Sequence, residues 1–136
     1  MAIYWDRCDV TLTNQTKRGP MTFSSQNATT GFIDGSPTAS IAAKGGTGGF
    51  TGSATSGLLS GCGGTVVYSL TDGTLVNINY WTAYPYGPAD SSTYTVGFQG
   101  ANANFYKVAN NNVQTDHSNG GAGKRVHWTF DVVDAD

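Results

Sequence analysis

Glutamate is missing from this chain of 136 residues, and all nine acidic residues are aspartates. Charge of either sign is scarce: Asp, Glu, Lys and Arg make up 12%, about half of the ~25% of an average globular protein. Seven scattered basic residues and a net charge of −2 leave no electrostatic footprint for nucleic acid. No apolar run approaches the ~20 residues that cross a bilayer as a helix. The residues that favour long helices are also withheld, so an all-helical fold is excluded. Only two histidines are present, His117 and His127. Neither has a partner at metal-ligand spacing. There is no G-x-S-x-G elbow for a nucleophilic serine, and the commonest glycosidase acid is absent with glutamate. The expectation is a protein that is not an enzyme and holds neither cofactor nor metal. The amino terminus, Met1 to Asp6, has no basic region and no long apolar stretch. A protein secreted or released without a visible signal peptide is expected.

What remains is rich in turn and strand formers. Gly, Ser, Thr and Asn supply 58 of the 136 residues, a bias toward short strands joined by turns. Cys8 to Thr13 alternates as a strand, Thr16 to Pro20 is a turn, and Met21 to Ser24 reads as the returning strand. Ala39 to Ala43 is a further strand candidate. Lys44 to Gly64 holds nine glycines in 21 residues, which predicts a long surface loop or lid. The second half is clearer. Thr65 to Leu70 and Leu75 to Trp81 flank an Asp72-Gly73 hairpin turn. In the second of these, Val76, Ile78 and Tyr80 share one face, while Leu75, Asn77, Asn79 and Trp81 share the other. Ser92 to Phe98 alternates with Tyr94, Val96 and Phe98 inward. Phe105 to Ala109 is a strand, and Asn110 to Asn112 a turn. In the last strand, Lys124 to Val133, Val126, Trp128, Phe130 and Val132 point inward and His127 outward. Such short strands predict a single all-β domain over residues 1–136, an antiparallel β-sandwich or small barrel.

The two cysteines, Cys8 and Cys62, form either a bridge or two separate buried thiols. Two sequons, at Asn14 and Asn27, match the N-x-T pattern. The stretch from Tyr80 to Pro88 concentrates Tyr80, Trp81, Tyr84 and Tyr86 with two prolines at a strand end. Proline stiffens such a loop. Tyr and Trp suit a membrane interface, a sugar face or a choline-like head group. The same rings equally well fold back over the end of the core. Trp5 is a further candidate for this cluster. The Asn/Asp-rich stretches Asn110 to Asn112 and Asp116 to Asn119 suit a glycan, so the alternative function is a carbohydrate-binding module or lectin.

Gly64-Thr65-Val66-Val67-Tyr68-Ser69-Leu70, then Val76-Asn77-Ile78-Asn79-Tyr80-Trp81, then Tyr84-Pro85-Tyr86-Gly87-Pro88 resemble the aegerolysins. Cys62-Gly63 ahead of the first strand, Val10 to Thr16 near the amino terminus, and the Ser/Thr-rich strand from Ser91 to Gly100 resemble family segments too. The resemblance implies an actinoporin-like antiparallel β-sandwich, related to small insecticidal crystal proteins, that binds membrane lipid, typically sphingolipid. It also implies a second, pore-forming protein as partner. The implied lipid-binding residues are Trp81, Tyr84 and Tyr86, with Tyr80 and Trp5 beside them. The polybasic patch that would draw the chain to anionic lipid is absent.

Overall fold

The structure is a computed structural model and describes residues 6–54, 61–82, 92–116 and 125–135. Among these residues, ten strands form two five-stranded sheets packed face to face. In chain order they are β1 (Arg7–Asn14), β2 (Met21–Thr30), β3 (Phe32–Ile33), β4 (Ser40–Ile41) and β5 (Gly46–Ser53). Then come β6 (Cys62–Ser69), β7 (Leu75–Thr82), β8 (Ser92–Gln99), β9 (Tyr106–Asp116) and β10 (Arg125–Asp134). A short 3₁₀ helix, Ala103–Phe105, precedes β9. The first sheet runs β3-β5-β1-β10-β9 and the second β4-β2-β6-β7-β8. The expected all-β sandwich is therefore present. Among the described residues the pairings are antiparallel except β1 with β10, which run parallel from Arg7↔Arg125 to Asn14↔Val132.

The core lies between the sheets and is built by alternation. Val10 and Leu12 of β1 with Trp128, Phe130 and Val132 of β10 face Val66, Tyr68, Val76 and Ile78 across the gap. Each large side chain removed from water in this way contributes about 1.5–3 kcal/mol. Rings fill the centre: Trp128 lies 4.6 Å from Phe130 and 5.1 Å from Tyr94, between ring centroids. Burial pushes the hydroxyl pKa of Tyr68 up to about 12, and the Tyr68 hydroxyl donates to the Thr38 carbonyl at 2.7 Å. Cys8 and Cys62 are joined by a disulfide, Cα atoms 6.7 Å apart, which ties β1 of the first sheet to β6 of the second.

Four expectations are corrected. Met21 to Ser24 does not return alongside β1; β2 crosses over and pairs with β6 in the other sheet. The extended piece at Ala39 to Ala43 is only the two residues of β4. The glycine-rich segment is no loop over Gly46 to Ser53: it is β5, paired along its whole length with β1. Its glycines serve close approach. A Cβ at Gly48 would lie 2.8 Å from Ile41 Cγ1, and one at Gly52 would lie 2.6 Å from Tyr80 Cε2. Asn110 to Asn112 is no turn but part of β9. The strand absorbs extra residues in a bulge opposite Thr129 to Asp131, with Asn110 at a φ of 53°, a left-handed backbone that asparagine tolerates. Asn14, of the first sequon, is fully buried. Its amide donates to the carbonyls of Gly19 and Ile41, both at 3.0 Å, so it holds a chain corner.

Candidate functional site

The two ends of the sandwich differ. At one end, Arg18 stacks 4.6 Å from the Phe105 ring centroid and 5.4 Å from that of Tyr106. Beside it the Tyr106 hydroxyl donates to Asp72 at 2.7 Å. Burial raises the Asp72 pKa, but hydrogen bonds from the Thr74 backbone N–H, from Tyr106 and from Asn102 outweigh it. They hold the carboxyl down at about 2. This end is locked by polar contacts.

The other end carries Trp81. By the β7 alternation Trp81 points away from the core on the outer face of the second sheet, and it is 39% exposed. It pairs across to Gly63 on β6 and Thr93 on β8. A Cβ at Gly63 would lie 2.8 Å from Trp81 Cε3, so glycine leaves the space that the indole covers. Beyond Trp81 along this face runs a polar ladder. Thr65 donates to Asn79 at 2.7 Å, Asn79 to Thr95 at 3.3 Å, and Asn77 to Gln99 at 3.3 Å.

Tyr80, expected among the lipid contacts, points the opposite way to Trp81 and is corrected to a core residue. It is 3% exposed and packs on Phe50 at a centroid distance of 5.4 Å. Burial pushes its hydroxyl up to about 12. Trp5, Tyr84 and Tyr86 lie outside the described residues. Of the glycan candidates, Asn110 donates to Asp131 at 2.8 Å and Asn111 accepts from the Trp128 indole at 2.6 Å. His117 to Asn119 lie outside the described residues. Among the described residues no three His, Cys, Asp or Glu side chains converge as a metal site. No helix among them is long and apolar enough to cross a membrane.

A second feature sits on the outer face of the first sheet: a polar groove of about 580 Å³. Asp9, Thr11 and His127 line it from β1 and β10, Thr47 and Thr51 from β5, and Asp34 from the segment after β3. Asp9 accepts from Arg125 Nε at 3.1 Å and from the Thr51 hydroxyl at 3.0 Å, with His127 Nδ1 3.4 Å away. The outward position of His127 was legible from its strand. The groove was not, because its floor needs β1 between β5 and the distant β10.

Fold and outer faces together define a β-sandwich with an exposed indole, Trp81, toward one end of its second sheet and a polar groove on the outer face of its first. No family model and no curated sequence matches the chain. Among solved structures, the crystal structure of the lipid binding protein Nakanori is similar, with a TM-score of 0.63 and 12% identity. The match covers 96% of this chain and 71% of that one. At that identity the likeness is one of fold.

Proposed function

We propose that this protein binds membrane lipid through the end of the sandwich that carries Trp81, with sphingolipid as the preferred lipid. The observation that carries this reading is Trp81 itself. It is a large ring held out from a strand end, and indole favours the membrane interface. Two facts support it: the fold is shared with a lipid binding protein, and residues Val10 to Phe98 resemble the aegerolysins. Trp5, Tyr84 and Tyr86 join the proposal from the sequence alone. Tyr80 supports Trp81 from the core. The scaffold stays rigid while the rings enter the interface. A second protein completes a pore in the fuller form of this reading. A cross-sheet disulfide suits an oxidising compartment, which supports a site of action outside the cell.

The test is co-sedimentation with two liposome sets, one of sphingolipid plus sterol and one of neutral phospholipid alone. Selective pelleting with the first set is expected, weakened about tenfold by Trp81→Ala, the order expected for withdrawing one large ring from an apolar phase. Equal behaviour with both sets, or full binding by the variant, overturns the reading.

A further inference from the structure

We propose that the groove on the outer face of the first sheet binds a neutral polyhydroxylated ligand, a pyranose unit of a glycan. This site is separate from the lipid-binding end. Trp81 lies on the outer face of the second sheet, and the groove lies on that of the first. Its volume of about 580 Å³ falls within the roughly 300–1,000 Å³ of small-molecule sites.

The groove is built in advance. Its floor is low at Gly49 on β5. A Cβ at Gly49 would collide with the Val10 carbonyl, so the backbone itself forms the surface there. One wall is the segment from Asp34 to Thr38. Asp34 N–H donates to the Thr51 carbonyl at 2.8 Å and Thr38 N–H to the Gly49 carbonyl at 3.0 Å. Gly49 N–H returns a bond to the Thr38 hydroxyl at 3.0 Å. Arg7 holds the Asp34 carboxylate at 3.0 Å. On the opposite wall, Arg125 and Thr51 hold Asp9.

The chemistry of this lining selects the ligand. Two oriented carboxylates accept hydrogen bonds from hydroxyl groups, and the hydroxyls of Thr11, Thr47 and Ser36 both donate and accept. Each carboxylate is already paired with an arginine, Asp34 with Arg7 and Asp9 with Arg125. Neither spare positive charge for a phosphate nor spare negative charge for a cation is left by these pairs. A lining made mostly of polar side chains does not suit an acyl chain. What fits is a compact neutral ligand with many hydroxyls.

The test titrates neutral methyl pyranosides (gluco, galacto, manno and N-acetylgluco forms) into the full chain, followed by amide chemical shifts. Saturable shifts at Thr11, Gly49 and Thr51, with roughly millimolar affinity, are expected for at least one of them. Asp34→Asn weakens that binding about tenfold, the loss typical of a hydrogen bond to a charged group. Thr47→Val, which keeps the shape, weakens it about threefold while the remaining amide spectrum stays native. A parallel arm pellets the protein and the Asp34→Asn variant with vesicles carrying a neutral monoglycosylceramide. Loss of pelleting in the variant shows that the groove reads the same sugar on a lipid. No groove-centred response to either source overturns the proposal, as does an equal response to inorganic phosphate or calcium. The free-sugar arm contains no membrane, so its failure is independent of the lipid-binding reading.

Discussion

Gly52 and Tyr80 meet across the sandwich, one from each sheet, and a side chain at Gly52 would begin 2.6 Å from Tyr80 Cε2. The ring fills the space that the glycine leaves empty, and Phe50 packs on the same ring. Gly52→Ala therefore has to move Tyr80 or spread the sheets. We expect a loss of about 1–3 kcal/mol, the range for overpacking a filled core, read from urea unfolding. A larger residue at Gly73, where a Cβ would meet nothing within 4 Å, acts only through its φ of 88°. An unchanged midpoint in Gly52→Ala would show that Tyr80 is not locked.

The Cys8–Cys62 disulfide closes a loop with a sequence separation of 54 residues. In the chain-entropy account, such a loop stabilises the fold by about 4 kcal/mol. Reduction, or Cys8→Ser with Cys62→Ser, is expected to lower the unfolding midpoint by a corresponding amount while the two sheets persist. A reduced protein as stable as the oxidised one would remove the bridge from the account of stability.

Stability against pH has two limbs. The Asp72 carboxyl is held at about 2 in the folded chain against an ordinary value of about 3.9. A depressed carboxyl stabilises the fold above its unfolded pKa. That contribution is lost as pH falls from about 4 toward about 2. Asp72→Asn should flatten this limb of the melting-temperature profile. On the alkaline side, burial raises Tyr68 and Tyr80 to about 12. Their contribution is complete below pH ~10 and lost as pH climbs toward about 12. Tyrosinate absorbance should then rise together with unfolding. Ionisation of all tyrosines near the ordinary value, in a chain still folded, would contradict the burial of these hydroxyls.

The clearest parts of the fold could be read from the chain itself. The β10 alternation of Val126, Trp128, Phe130 and Val132 and the Asp72-Gly73 hairpin are local signals, and both are present as expected. The opposed directions of Tyr80 and Trp81 follow from the same period of two. The β5 strand was hidden because its sequence, Gly46–Ser53, has low intrinsic strand preference. It is a strand because neighbours from β1, β4 and β7 press where side chains would otherwise stand. The bulge at Asn110 resembles a turn locally, and only pairing with β10 continues the strand past it. The groove depends on three strands far apart in the chain, Asp9 on β1, Thr51 on β5 and His127 on β10, and no local pattern joins them.

The parallel union of β1 and β10 has a consequence for how the protein is made. β1 is a middle strand of its sheet, with β5 on one side and β10 on the other. During synthesis it emerges well ahead of its second neighbour, with 110 residues, 15–124, between the two strands. Until then one edge of β1 exposes unpaired amides and carbonyls beside an apolar face, a template for pairing with other chains. The sheet closes only when residues 125–134 arrive, and contacts this distant in sequence make for slow folding, in the millisecond-to-second range. A ribosome-bound chain stalled before residue 125 should remain sensitive to protease along β1. Release of the full chain would protect it in one cooperative step.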